Sequence, residues 1–200
     1  MNLIRTKVPG ASDAGIKAEM YETFHEFFRD SGSWIEPLIV PIVANVQTYD
    51  LIPTSGQIIR FGGLVDSNNA PQAALMQTIG VMTLAYPPNS AATWTAYVVK
   101  NVVLPTTKDM YPVVPDFVIP VYGHVIIDGL CSKLYGQPNK SYTNDTLQTF
   151  HHKKFRDGIA MARVATLKAN TYGAQNWRFP QNFHTRSQKS GVSIGNQLGF

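Results

Sequence analysis

Val118-Ile119-Pro120-Val121-Tyr122-Gly123-His124-Val125-Ile126-Ile127-Asp128-Gly129-Leu130-Cys131-Ser132-Lys133-Leu134-Tyr135 places Val118, Val121, Tyr122, Val125, Ile126, Leu130 and Leu134 at three- and four-residue spacing. That period is helical. Pro115-Asp116 opens the segment and Gly136-Gln137-Pro138 stops it, while Pro120 is tolerated only in the first turn, where its missing N–H costs little. A further helix starts near Thr143 or Asn144, carries Leu147, His151, Phe155, Ile159, Ala162, Thr166 and Ala169 on one face, and ends by Gly173. Only about eight residues join the two, so they are expected to pack as an antiparallel hairpin.

Upstream of the hairpin, between Trp34 and Thr107, the pattern is that of short strands: Leu38 to Val43, Thr48 to Ile52, Ile58 to Phe61, Gly80 to Tyr86 and Thr93 to Leu104. Turn clusters separate them at Pro53-Thr54-Ser55-Gly56, Asp66-Ser67-Asn68-Asn69 and Pro87-Pro88-Asn89-Ser90. This predicts a small antiparallel sheet or sandwich of four to six strands. Pro41 assigns its strand to an edge or a bulge, and Gly62-Gly63, without any phosphate-loop companion residues, reads as a bulge or turn. A first helix runs from about Ala14 to Arg29, with Ser12 or Asp13 as its cap. Ile16, Met20, Phe24, Phe27 and Phe28 form its apolar face, with Glu19, Glu22 and Glu26 opposite.

The expected class is therefore α+β: a helical core, made of one N-terminal helix plus the hairpin, with an inserted antiparallel β-domain and an extended C-terminal arm. The boundaries are 1–33, 34–114, 115–173 and 174–200. The arm has no period and not one acidic residue; it sets Trp177, Arg178, Phe179, Phe183, Arg186 and Phe200 among Gln, Asn, Ser and Gly. Such composition orders along a partner through aromatic anchors, stays a disordered terminus, or meets nucleic acid directly.

Charged residues are 15% of the 200, against roughly 25% in ordinary domains. The surface is then built from Asn, Gln, Ser and Thr, as suits a subunit packed against others. Residues 1–150 carry nine Lys/Arg and 12 Asp/Glu, whereas 151–200 carry eight Lys/Arg and only Asp157, so net charges of −3 and +7 make up the +4 of the chain. On the last helix Lys153, Lys154, Arg156 and Arg163 define a basic face for a neighbouring subunit or for DNA phosphates. The single cysteine excludes an intramolecular disulfide, and a reducing interior is the expected compartment. Met1 to Gly10 lacks the apolar core of a secretory signal, and the sequons at Asn139 and Asn144 then read as chance. No apolar run reaches the ~20 residues of a membrane span, so no membrane partner is expected.

No enzyme site is legible. His124, Asp128 and Cys131 fall on one side of a helix, yet His124 and Cys131 lie ~10 Å apart along its axis, and their neighbours say packing. His151-His152 point about 100° apart and cannot chelate one ion together. Catalytic residues, metal ligands and cofactors are all expected to be absent.

The order of the pieces resembles the head-tail adaptor (connector) proteins of tailed bacteriophages. The likeness spans most of the chain. It runs through Phe27-Phe28-Arg29 to Trp34; Val46-Gln47-Thr48-Tyr49-Asp50-Leu51; Gln57-Ile58-Ile59-Arg60; Thr83-Leu84-Ala85-Tyr86-Pro87-Pro88; and Pro115-Asp116-Phe117. It continues through Leu134-Tyr135-Gly136-Gln137-Pro138-Asn139-Lys140-Ser141-Tyr142, Phe155-Arg156-Asp157-Gly158-Ile159-Ala160, Ala162-Arg163 and Trp177-Arg178-Phe179. The resemblance implies a structural virion protein in the neck between capsid and tail, assembled in the host cytoplasm as a ring, commonly of twelve copies. Beneath the portal protein it would extend the DNA ejection channel, touch DNA transiently and dock tail or nozzle proteins, with the C-terminal arm as its portal-binding element. The short first helix, the early Pro120 and the segment after Phe183 depart from that pattern. The second functional expectation is a nucleic-acid-binding module that uses the basic third helix and the arm.

Overall fold

The computed structural model describes residues 2–103 and 111–169. The arm residues Trp177, Arg178, Phe179, Phe183, Arg186 and Phe200, and the expected end of the last helix at Gly173, lie outside the described residues. The class is α+β. Helices α1 (Asn2–Lys7) and α2 (Asp13–Ser31) precede seven strands; α3 (Val118–Tyr135) and α4 (Asp145–Ala169) follow them.

Local chemistry sets the ends of α2. Ser12 Oγ accepts from the Gly15 N–H at 3.2 Å, and Gly32, in the left-handed region at φ 64°, closes the helix by donating to the Phe28 carbonyl. The buried Phe24, Phe27 and Phe28 of α2 meet Val118, Val125 and Ile126 of α3 and Phe155, Ile159 and Ala162 of α4 in one core. Facing positions of α3 and α4 run in opposite directions: Val125 meets Gly158, Gly129 meets Phe155, and Gly136 meets Gln148. The hairpin is antiparallel, as its short connection requires. Asn144 Oδ1 accepts from the Leu147 N–H at 3.0 Å and so caps α4.

The strands are β1 (Ile35–Ile42), β2 (Thr48–Asp50), β3 (Gln57–Val65), β4 (Pro71–Gln72), β5 (Ala74–Thr78), β6 (Val81–Leu84) and β7 (Ala92–Asn101). They make two antiparallel sheets, ordered β1-β7-β3-β4 and β2-β6-β5. Val40, Ile42, Ile58, Leu64, Ala96 and Val98 of the first sheet pack with Tyr49, Met82 and Leu84 of the second. β1 is an edge, as Pro41 implied. The Trp34 carbonyl accepts from the Lys100 N–H, so the even positions of β1 are the hydrogen-bonded ones. Pro37 and Pro41 fall on the odd positions, whose nitrogens point away from β7 and need no proton. Gly63, at φ 149°, sits at a register shift in β3, which makes the glycine pair a bulge.

β7 ties the sheets to the helices. Fully buried Asn101 donates to the His25 carbonyl of α2 at 3.2 Å and accepts from the Val102 N–H at 2.8 Å. Beside it Lys100 Nζ, buried with its stem, lies 2.7 Å from Glu36 and 4.5 Å from the centre of the Trp34 ring. Trp34 itself rests on Phe28 with ring centroids 5.1 Å apart, which seats the residue before β1 in the helical core.

Several sequence expectations need correction. α1 went unseen because six residues hold too little period; Ile4 and nearby Val8 pack with Leu130, Cys131 and Leu134. β4 and β5 were missed because β4 has two residues and Ala-Leu-Met-Gln-Thr of β5 has no strand bias; pairing with β6 makes it a strand. Among the described residues seven strands stand where four to six are expected. Val121 is exposed, not part of the α3 stripe, and Leu147 is also exposed. Glu19 and Glu26 do not stand against the apolar face in water: Glu19 accepts from Gln137 at 2.7 Å and Glu26 pairs with Lys133 at 2.9 Å, both at the C-terminal end of α3.

Candidate functional site

The four cations expected on one face of the last helix divide. Arg156 and Arg163 are seven residues apart and therefore share a face, whereas Lys154 points about 160° away from Arg156 and Lys153 about 60°. Lys154 Nζ sits 4.4 Å over the Phe150 ring, on the outer side of the helix. Arg156 and Arg163 instead turn toward α2 and β3.

There they meet two arginines from elsewhere in the chain. A groove of about 370 Å³ is lined by Arg29, Asp30, Arg60, Arg156, Ile159, Ala160 and Arg163. Asp30 accepts from Arg29 at 2.9 Å and from Arg156 at 3.2 Å. The Arg29 hydrogen bond outweighs partial burial and, with the charges of Arg29 and Arg156, holds the Asp30 carboxyl below its ordinary value. Arg60 lies over Gly32, where any side chain would strike its guanidinium. Gly32 is required for the left-handed turn that ends α2, whereas the exposed Arg60 guanidinium could swing aside for a side chain there. Among the described residues neither Arg60 nor Arg163 has a carboxylate partner. Four guanidiniums against one carboxylate leave the groove at net +3.

Positions 29, 60, 156 and 163 carry no common motif, and only the fold brings them together. Sequence reasoning reached two of the four. A second cleft of about 380 Å³, between α2 and the hairpin, is lined by Glu19, Glu26, Lys133, Gln137, Gln148 and His152 among others, but its Glu26 and Lys133 satisfy each other.

The outer side of α4 exposes large apolar side chains among charged ones. Leu147, Phe150, Met161 and Val164 fall within an arc of about 100° that also holds Lys154, Asp157 and Lys168; all four are exposed, Met161 by 73% and Phe150 by 51%. In the β-domain Ile39 of β1 is exposed by 76%, and Ile52, Ile79 and Tyr86 in the connections between strands by 82%, 69% and 80%.

The constellation His124, Asp128 and Cys131 is not assembled. His124 faces out, Asp128 turns across the hairpin to His151, and Cys131 is sealed in the core with its thiol pushed up to about 11 by burial. Such a thiol is a packing group. Among the described residues no group of three or more His, Cys, Asp or Glu could hold a metal ion, and no helix is long and apolar enough to cross a membrane. Comparison with protein-family models finds no matching family, and a search of curated proteins finds no matching relative.

Proposed function

We propose that this chain is the subunit of a head-tail adaptor ring of a tailed bacteriophage: it assembles side by side beneath a portal, prolongs the DNA channel and offers a docking surface to tail proteins. One observation carries the reading. α4 buries one apolar face against α2 and α3 and leaves Leu147, Phe150, Met161 and Val164 exposed on the opposite side, among Lys154, Asp157 and Lys168. Large apolar side chains set among charges on an outer helix face suit a contact with a second body. A heterologous contact of this kind, repeated about an axis, closes a ring. The order of sequence pieces shared with head-tail adaptors supports the same reading, as does the low charge of the chain.

The test is assembly. The full chain, co-expressed with its cognate portal, is expected to give ring-shaped particles by negative-stain microscopy, and deletion of residues 174–200 is expected to weaken the complex. A chain that stays monomeric with its portal at micromolar concentration overturns the proposal. The nucleic-acid-binding reading is favoured by the guanidiniums of the groove, and a steep salt dependence of duplex binding by the isolated chain would carry it.

A further inference from the structure

We infer that the groove between α2, β3 and α4 is a receptor for an acidic peptide segment of a protein partner, held by Arg60 and Arg163. The inference goes beyond the ring proposal and stands without it. Three observations carry it.

The groove already holds a carboxylate. Asp30 of the chain itself is gripped between Arg29 and Arg156, which fixes those two side chains and neutralises part of their charge. The unspent cations are Arg60 and Arg163, which line the same groove, one from a strand and one from a helix. All four are arginines. A guanidinium presents a planar fork that matches a carboxylate with two parallel hydrogen bonds, which a lysine cannot do.

The surroundings suit a peptide better than a nucleic acid. Ile159 and Ala160 supply an apolar floor against which the stem of a Glu or Asp, or a small neighbour, can lie. The cations converge on one concave place, whereas the phosphates of a duplex run at one charge per ~1.7 Å of axis and call for cations spread along a line. The Asp30 carboxylate that lines the groove repels a continuous row of phosphates, while the separate carboxylates of a peptide can be spaced to avoid it.

Arg60 is in reach of the groove and free to bind. It is exposed, its guanidinium lies near the Gly32 backbone at the end of α2, and among the described residues no ion pair holds it.

The probe is a fluorescein-labelled peptide of alternating Glu and Ser, titrated with the full chain and followed by anisotropy at low and at physiological ionic strength. The expected result is saturable binding that weakens with salt and falls at least about tenfold in the double variant Arg60→Ala, Arg163→Ala. Lys153→Ala with Lys154→Ala removes the same charge outside the groove and is expected to leave binding within about twofold. Far-UV circular dichroism confirms that both variants fold; these side chains are exposed, and their loss opens no core. If the wild-type chain does not bind the peptide, or if both double variants lose the same affinity, the inference fails. It fails also if a duplex oligonucleotide binds more tightly than the peptide and the groove variant abolishes that binding, since the groove then serves phosphates.

Discussion

Nδ1 of His151 on α4 lies 2.8 Å from Oδ1 of Asp128 on α3, and the imidazole stacks on the Tyr135 ring with centroids 5.8 Å apart. The phenol of Tyr135 in turn donates to the Lys7 carbonyl at 2.6 Å, so one chain of contacts links α4, α3 and the end of α1. Both side chains of the pair are largely buried. Asp128→Ala leaves the imidazole without its acceptor and is expected to cost about 1–3 kcal/mol in urea unfolding. His151→Ala loses the stack as well. A double-mutant cycle should give a coupling of about 0.5 kcal/mol or more, and strict additivity would show that the pair does not act as one.

The pair at Lys100 and Glu36 predicts an acid dependence. Burial alone would raise the Glu36 carboxyl, but hydrogen bonds from Lys100 and Thr54, and the charge of Lys100, outweigh it and hold the group below its ordinary value. A carboxyl whose folded value is depressed contributes stability that is present above its unfolded value of ~4.3 and is lost as pH falls through the folded one. Glu36→Gln should therefore lower stability at neutral pH and flatten its decline on acidification below about pH 4. Lys100→Ala strands the half-sealed carboxylate and is expected to cost about 3 kcal/mol. Equal acid limbs in wild type and Glu36→Gln would assign the acid sensitivity to other carboxylates.

What the sequence disclosed and what it hid divide along physical lines. Long amphipathic segments were legible because burial on one side imposes a period: α2, α3 and α4 begin within a few residues of their expected starts. The edge position of β1 was legible because proline has no proton to give a neighbour. Glu19 and Glu26 were misplaced because a helical wheel distinguishes apolar from polar, not water from a second helix that offers Lys133 and Gln137. The arginine groove was hidden for a stronger reason. Arg29 and Arg156 are separated in sequence by the whole β-domain and Arg60 lies within it, so nothing local to any of them reports the others.

The exposed apolar stripe of α4 separates assembly from folding. Phe150→Lys with Met161→Lys places two cations on its outer side, and only Phe150 gives up contacts, with the His151 ring and the Lys154 ammonium, so thermal unfolding of the isolated chain is expected to shift by no more than about 1–2 kcal/mol. Ring formation should fail, because each ammonium would have to be desolvated in the interface. Loss of folding in this variant would mean that the stripe packs within the subunit.

Two glycines in the hairpin make opposite predictions from the same substitution. A Cβ at Gly158 would lie 2.5 and 2.6 Å from the methyl carbons of Val125, a buried β-branched side chain with little room to turn. A Cβ at Gly123, earlier on α3, would meet nothing closer than Ile119 Cγ2 at 3.9 Å. Both positions are helical, so alanine brings each a propensity gain of about 1 kcal/mol. At Gly123 that gain stands alone, and Gly123→Ala is expected to raise the unfolding midpoint. At Gly158 overpacking costs about 1–3 kcal/mol and offsets or exceeds the gain, because α4 would have to move off α3 by the width of a methyl group. Gly158→Ala should therefore unfold earlier than Gly123→Ala by about 2 kcal/mol or more in urea, without a change in the denaturant slope. If the two variants gain stability equally, α3 and α4 do not approach as closely as their glycines require.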